Sequence, residues 1–314
     1  MKIKRTLAAA SFILIVAAIA RLISKYTHWK QESLKCLQAN SRIMDTALGV
    51  VEYSVQGDGP PVLFAHGSPG GYDQSMVGAN LFKSNRFTYI AVSRPGYLRT
   101  PLHQKSPEAQ ADLYAALLDK LGIQKATIIG ISGGGPSALQ FALRHPKQCS
   151  GLVMLCAVSQ RWAEQELLEA LPPVQRLIQS LVERLVFNNF AIFLFESLLE
   201  SLRHWQHSPL QAEFIHSLAM PQLREVGYKN DVEQYEHIGE YPLEQITVPT
   251  LVLHGDKDTN VPIKHAEFVA SKVPRARYVI DEGGDHLFFL THSEKIFPLL
   301  LEFLEEHSQS AMSS

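Results

Sequence analysis

The chain has 314 residues, 46% of them hydrophobic and 19% charged, and its formal net charge is −2. A chain of this size and composition can bury a large core, so it needs neither metal nor disulfide staples to fold. The charge balance argues against a nucleic-acid-binding protein and against an acidic disordered tail.

The three cysteines, Cys36, Cys149 and Cys156, form no C-x-x-C pair, which argues against a zinc site or a disulfide framework. Cys149 and Cys156 flank an apolar run, and we expect both to be buried. One disulfide stays open as an alternative, because the N-terminus suggests an oxidising compartment.

The N-terminus begins with basic residues, followed by an uncharged apolar stretch over residues 6–20. Its length fits the core of a signal peptide and is short for a full membrane span. An A-x-A pattern at 18–20 precedes Arg21, where cleavage would fall. Residues 22–23 extend the apolar run, which favours an uncleaved anchor, and a cytoplasmic extension is the third alternative. We expect export or membrane tethering through residues 1–40.

Short apolar runs along the rest of the chain predict strands, most of them buried on both faces of a sheet. Two short strands are expected within residues 41–55, and the others at 62–65, 88–92, 126–131, 152–157, 250–253 and 278–280. Helices are predicted from the Ser106-Pro107 start signal to Gly122, and over 133–144, 262–271 and 293–306. The alternation predicts an α/β fold with a mostly parallel central sheet covered by helices on both faces.

The alternation stops between residues 159 and 240, where the sequence looks helical and contains no strand-like run. We interpret this stretch as a helical cap inserted between two parts of the core, 41–158 and 241–314. Its aromatic residues are Trp162, Phe187, Phe190, Phe193, Phe195, Trp205 and Phe214. They suggest an apolar acyl or alcohol pocket, and the alternative is that they form the core of the cap itself.

Residues 130–135 read G-I-S-G-G-G and contain G-x-S-x-G between a predicted strand and a predicted helix. A sharp turn there strains the backbone of Ser132, and small neighbours let the strand and the helix approach each other. The start of the helix favours developing negative charge. We predict Ser132 as a nucleophile. A glycine-rich turn is the alternative, and a phosphate-binding loop would carry a lysine after the glycines.

Residues 66–71 read H-G-S-P-G-G after another predicted strand. With both motifs the chain resembles the α/β-hydrolase fold superfamily, as a capped, esterase-like member with a serine nucleophile, over residues 41–306 apart from the cap. The resemblance implies that the backbone N–H groups of Ser68 and Gly133 form an oxyanion hole. The alternative is a loop whose glycines only allow turning. His66 is expected to brace the loop.

The same resemblance implies the acid and the base. Residues 254–262 read H-G-D-K-D-T-N-V-P, and the family pattern G-x-x-D-x-x-V-P selects Asp258 over Asp256. Either aspartate would also cap the following helix. Residues 283–286 read G-G-D-H after the last predicted strand, which makes His286 the general base. Asp285 is a weaker partner for His286, because adjacent side chains point poorly at each other.

These residues together predict a serine hydrolase that cleaves a small-molecule apolar ester through an acyl-enzyme, without cofactor or metal. Residues 93–97 read S-R-P-G-Y where the family has D-R-P-G-x, a change expected to affect specificity only. The loop at 66–71 also resembles that of prolyl aminopeptidases, and an aminopeptidase of the same fold stays an alternative, although the elbow lacks their G-G-S-W-G form. A serine nucleophile excludes dehalogenases and epoxide hydrolases. Amide, lactone, thioester and carbon–carbon bond hydrolysis, perhydrolysis and a slow-turnover receptor stay open, as does the oligomeric state.

Overall fold

The computed structural model describes residues 2–81, 86–162, 171–201 and 209–308, so Trp205 lies outside the described residues. The described chain is built around one eight-stranded sheet with the order β1-β2-β4-β3-β5-β6-β7-β8. The strands are β1 Arg42–Thr46, β2 Gly49–Gln56, β3 Pro61–Ala65, β4 Thr88–Val92, β5 Ala126–Ile131, β6 Cys149–Leu155, β7 Thr250–Gly255 and β8 Arg277–Asp281. Strand β2 is antiparallel to β1 and β4, and the other neighbours are parallel. The mostly parallel sheet is therefore confirmed.

Helices lie on both faces of this sheet. The helices of the described chain are α1 Lys2–Ala39, α2 Tyr72–Leu81, α3 Pro107–Lys120, α4 Gly135–Arg144, α5 Pro173–Val186, α6 Asn189–Ser201, α7 Pro209–His216, α8 Glu225–Glu236, α9 Lys264–Lys272, α10 Phe288–Thr291 and α11 Ser293–Ser308. One core cluster packs α3, α4 and α9 against the sheet, and a second packs α2, α10 and α11. Strand β3 shows why: Leu63 and Ala65 belong to the first cluster, Val62 and Phe64 to the second.

The predicted start of helix α3 is confirmed in detail. The Oγ atom of Ser106 accepts a hydrogen bond from the backbone N–H of Ala109 at 3.3 Å, and Pro107 is the first helical residue. Beyond the end of the helix, Gly122 adopts a φ of +70°, a left-handed conformation that glycine adopts without strain.

Three predicted boundaries differ from the structure. The helix expected from residue 133 begins with a 3-10 turn, Ser132–Gly134, before α4 starts. The helix expected from residue 262 starts at Lys264, and β6 begins at Cys149, three residues earlier than its apolar run predicts. Pairing of Cys149 with Ala126 of β5 extends β6, and one sequence window cannot contain that neighbour.

The N-terminal segment forms one continuous helix, α1, which ends beside the predicted boundary at residue 40. Over Ser11–Ala39 it is long and apolar enough to cross a membrane by length and composition. Its last turns contact the sheet domain, because the Tyr72 hydroxyl donates to the Leu37 carbonyl at 2.7 Å. All three cysteines are unpaired, and Cys149 and Cys156 are buried as expected.

Between β6 and β7 the chain leaves the sheet and forms helices α5 to α8, with no strand among its described residues. We call this stretch the insert. Helix α8 contacts Ser68 and Gly133, which follow β3 and β5, so this part of the insert lies along the edge where the parallel strands finish. The functional residues predicted above follow β3, β5, β7 and β8 at that same edge.

Candidate active site

Ser132 directly follows β5 and has a φ of +49°, a left-handed conformation that is strained for a residue with a side chain. The turn closes because its neighbours are glycines. A Cβ added at Gly134 would lie 2.1 Å from the carbonyl oxygen of Ala65, and one at Gly130 would lie 2.7 Å from the Cβ of Ala138. Only glycine fits at these two positions, as the sequence motif predicts.

The structure brings the predicted nucleophile, base and acid into one chain of contacts. The Nε2 atom of His286 lies 3.0 Å from the Oγ of Ser132, and its Nδ1 lies 2.7 Å from the Oδ2 of Asp258. A carboxylate only accepts hydrogen bonds, so Nδ1 carries the proton and donates it. Nε2 is then free to accept the hydroxyl proton of Ser132, which is the geometry of an activated serine.

Asp258 is held firmly in this position. Its Oδ1 accepts hydrogen bonds from the backbone N–H groups of Asn260 at 2.9 Å and Val261 at 2.8 Å. Burial raises the pKa of Asp258, but hydrogen bonds from His254 and His286 outweigh burial and hold the pKa well below its ordinary value. Asp258 therefore both closes its own loop and keeps a charged oxygen on His286.

The two rival carboxylates are engaged elsewhere. The Oδ1 of Asp256 accepts the backbone N–H of Gly283 at 2.6 Å, which ties the β7 loop to the β8 loop. The Oδ1 of Asp285 accepts the backbone N–H of Leu287 at 2.9 Å. Neither has a described contact to the His286 ring, so the geometry favours the choice of Asp258.

Ser68 and Gly133 lie next to each other beside Ser132. A Cβ added at Gly133 would be 2.9 Å from the Cβ of Ser68, and one at Gly67 would be 3.1 Å from the Cβ of Ser132. The loop that carries Ser68 is braced by His66, whose Nε2 accepts the backbone N–H of Arg94 at 2.9 Å. Burial, with Arg94 nearby, lowers the pKa of His66, so this ring stays neutral and acts as an acceptor.

No sequence pattern predicts the contact between Arg94 and Asp231 beside the site. Arg94 donates from Nη1 to the Oδ1 of Asp231 at 2.8 Å, and each side chain is only 2% exposed. The other oxygen of Asp231 accepts hydrogen bonds from the hydroxyls of Ser68 and Tyr97. Asp231 lies on α8 of the insert, a helix of polar sequence in which one buried aspartate has no recognisable signal.

Helix α8 reaches the site at a second point. One turn after Asp231, the Tyr235 hydroxyl donates to the carbonyl oxygen of Gly133 at 3.0 Å. The insert therefore contacts both residues whose N–H groups are the predicted oxyanion donors.

We expect Asp231→Ala to lower the free energy of unfolding by about 3–5 kcal/mol, because it leaves the Arg94 charge buried without its partner. Urea denaturation at neutral pH measures the loss. The matched control is Glu225→Ala on the same helix, which breaks an exposed pair with Lys229 and should cost under about 1 kcal/mol. Equal losses of unfolding free energy in the two variants would show that the buried pair stabilises the fold no more than the exposed pair does.

Two cavities meet at Ser132 and His286. The inner cavity, about 210 Å³, runs between the sheet and helices α10 and α11. Its apolar walls include Phe64, Ile129, Phe214, Leu218, Phe297 and Leu300. The outer cavity, about 460 Å³, lies under the insert. Its walls include Val158, Trp162, Leu171, Tyr228, Val232 and Tyr235.

Comparison with known proteins agrees with this architecture. A sequence model of the alpha/beta hydrolase fold family matches residues 60–293. The chain is 28% identical over 273 residues to the uncharacterized hydrolase YcgS of Bacillus subtilis (strain 168), covering 82% of this chain and 95% of that protein.

Two solved structures extend the comparison. An alpha/beta hydrolase fold protein from Nakamurella multipartita superposes with a TM-score of 0.67 at 33% identity, covering 84% of this chain and 98% of that one. The esterase EaEST from Exiguobacterium antarcticum gives a TM-score of 0.62 at 21% identity, covering 84% and 98%, a likeness of fold alone. With its site geometry and a family match over most of its length, this chain belongs to the alpha/beta hydrolase fold family.

Proposed function

We propose that the protein is a serine hydrolase that cleaves carboxylic esters, with Ser132 as nucleophile, His286 as general base and Asp258 as the orienting acid. The observation that carries the proposal is the unbroken contact chain from Asp258 through His286 to Ser132, at 2.7 and 3.0 Å. The strained φ of Ser132 supports it, because such strain holds the hydroxyl at the edge of the sheet.

The proposed reaction has two halves. As the Oγ of Ser132 attacks the ester carbonyl carbon, His286 Nε2 takes the hydroxyl proton, and the carbonyl oxygen becomes an oxyanion. The oxyanion is stabilised by the N–H groups of Ser68 and Gly133. When the tetrahedral intermediate collapses, His286 gives its proton to the leaving alcohol. Water then attacks the acyl-enzyme by the same route and regenerates Ser132.

The proposed oxyanion hole receives support from the insert. Asp231 holds the Ser68 side chain, and Tyr235 holds the Gly133 carbonyl, so both donor residues are held in place before substrate binds. Fixed donors stabilise a developing charge without reorganisation, and loss of one typically raises the barrier by about 2.7–4 kcal/mol. On this basis we also propose that residues 159–240 act as a cap on a core of residues 41–158 and 241–314.

For the substrate we propose an ester with an apolar acyl group in the inner cavity and its alcohol in the outer cavity. The inner cavity is walled mostly by apolar side chains of the core, with Phe214 and Leu218 from the insert, whereas tyrosines of the insert, Tyr228 and Tyr235, are among the walls of the outer cavity, where we place the alcohol. A p-nitrophenyl ester series beside a p-nitroanilide and a dienol-ketone tests the bond class. Turnover of the dienol-ketone alone would replace ester hydrolysis by carbon–carbon bond hydrolysis.

In the p-nitrophenyl series we expect kcat/KM to rise about fourfold per added methylene until the inner cavity is full, because burying one methylene contributes about 0.8 kcal/mol. Leu218→Trp shortens that cavity and should move the optimum toward acetate. Val232→Trp, in the wall of the outer cavity, is the control and should leave the acyl preference unchanged. An unchanged optimum in Leu218→Trp would place the acyl group elsewhere.

We further propose that residues 1–40 tether the protein to a membrane. The support is the apolar helix α1, which runs without a break from the apolar N-terminal stretch into the turns that contact the sheet domain. Recovery of an intact N-terminus in the membrane fraction supports tethering. A shortened protein outside the membrane fraction would instead mean that the segment is an export signal.

A further inference from the structure

Helix α5 has an apolar face that packs on nothing within the described chain. Residues 174, 177, 178, 181, 182 and 185 recur at three- and four-residue spacing, which places them on one side of the helix. All six are apolar, with exposed fractions between 45% and 68%, and none of the helix residues is buried. The stripe of an amphipathic helix normally faces a core. Here it faces outward.

The next helix extends this surface. Helix α6 begins three residues after α5 ends, and its apolar residues Phe190, Leu194, Phe195 and Leu198 are exposed by 37–57%. We call the two apolar stripes the α5–α6 face. Exposed apolar faces of this kind mark interaction sites, because leaving them in water is unfavourable.

Helix α1 leaves the folded body at the corner of this face. The Tyr26 ring lies 5.2 Å from Phe190, and the Trp29 ring lies 5.7 Å from Phe193. Trp29 Nε1 also donates to the Oε2 of Glu196 at 2.8 Å. Beyond Tyr26, toward the N-terminus, α1 presents apolar side chains that are exposed by 38–71% over residues 12–23.

One partner would cover both surfaces. Helix α1 is long and apolar enough to span a membrane, and it meets the α5–α6 face at one corner. Tyr26 and Trp29 lie at that corner, and tyrosine and tryptophan are typical of the headgroup level of a bilayer. Exposed cations are present on both helices: Arg21 and Lys25 on α1, and on α5 Arg176 opposite the apolar stripe and Arg184 at its edge. Amphipathic helices with this division lie in bilayer interfaces, and their cations attract anionic lipid.

The face is also connected to the active site. Phe187, the residue after α5, packs its ring 5.0 Å from Tyr228, and Tyr228 lines the outer cavity that reaches Ser132. A partner bound to the α5–α6 face would therefore lie close to the wall of the outer cavity.

We propose that the α5–α6 face docks into the interface of a phospholipid bilayer carrying anionic headgroups, beside α1, and that the outer cavity receives an amphiphilic ester from that interface. The second clause rests on the proposed function, whereas the docking itself does not.

The test uses the full chain in liposomes of phosphatidylcholine and phosphatidylglycerol. The exposed Cys36 is replaced by serine, and Leu181→Cys is labelled with the environment-sensitive fluorophore NBD. We expect blue-shifted emission that doxyl-labelled lipids quench. Gln179→Cys, on the polar side of the same helix, is the matched control and should emit as in water. Water-like emission from position 181 would overturn the proposal, and so would a blue shift that lipid does not quench, which indicates a second protein copy.

A second variant separates docking from chemistry. Leu177→Glu with Leu181→Glu should lower turnover of a long-chain glycerol monoester presented in vesicles by about tenfold or more, because the charged face leaves the interface. Hydrolysis of soluble p-nitrophenyl acetate should stay unchanged. Equal loss on both esters would overturn the delivery clause. If wild type hydrolyses neither ester, the proposed function fails, and the fluorophore measurement still decides the docking.

Discussion

Ser132→Ala is expected to lower kcat by about a million-fold, close to the level left by binding and oxyanion stabilisation alone. The reason is the position of its Oγ, 3.0 Å from His286 Nε2, where no other hydroxyl takes its place in the described contacts. The measurement is ester hydrolysis at saturating substrate, beside labelling by a fluorophosphonate probe. Wild type should label, and Ser132→Ala should not.

His286→Ala should lower kcat about as much as Ser132→Ala does. The double variant should lower kcat little further, because the effects of residues that act as one unit are strongly non-additive. Ser150→Ala, a serine in β6 bonded to Thr127, is the matched control and should keep full activity. Full hydrolysis by Ser132→Ala across several acyl lengths would refute the nucleophile. A folded wild type that never labels would favour the slow-turnover receptor.

Asp258→Asn is expected to lower kcat about ten-thousand-fold with the fold intact. An asparagine side chain can present its N–H₂ group to His286 Nδ1, which then has to act as an acceptor and moves the ring proton to Nε2. In that tautomer Nε2 cannot take the proton of Ser132. Asp258 also closes its loop through Asn260 and Val261, and an amide oxygen can keep those two bonds.

Asp256→Asn is the matched control, since it lies two residues earlier in the same loop and accepts a bond from Gly283 rather than from His286. We expect its kcat to stay within a few-fold of wild type, with steady-state kinetics and the rate of fluorophosphonate labelling as the two measurements. Inactive Asp256→Asn beside active Asp258→Asn would reverse the assignment of the acid.

The sheet and the local geometry of the site could be predicted because short-range patterns control them. The apolar runs at 88–92 and 126–131 coincide with β4 and β5, since a central parallel strand is buried on both faces and has to be apolar throughout. The glycines beside Ser132 predict its strained turn, because backbone atoms approach too closely there for any side chain. The identities of Asp258 and His286 needed family motifs in addition, and their roles stay predictions.

Tertiary packing decided what no local pattern contains. Arg94 and Asp231 are 137 residues apart, and only the docking of α8 on the β4 loop makes them a buried pair that also reaches Ser68. Periodicity shows that α5 has an apolar stripe, but only the structure shows that the stripe faces outward. By itself the sequence determined the strands, the turns and the chemistry available at the sheet edge, because these depend on neighbours along the chain. Which distant side chains meet, and which apolar faces stay uncovered, depends on how whole elements pack.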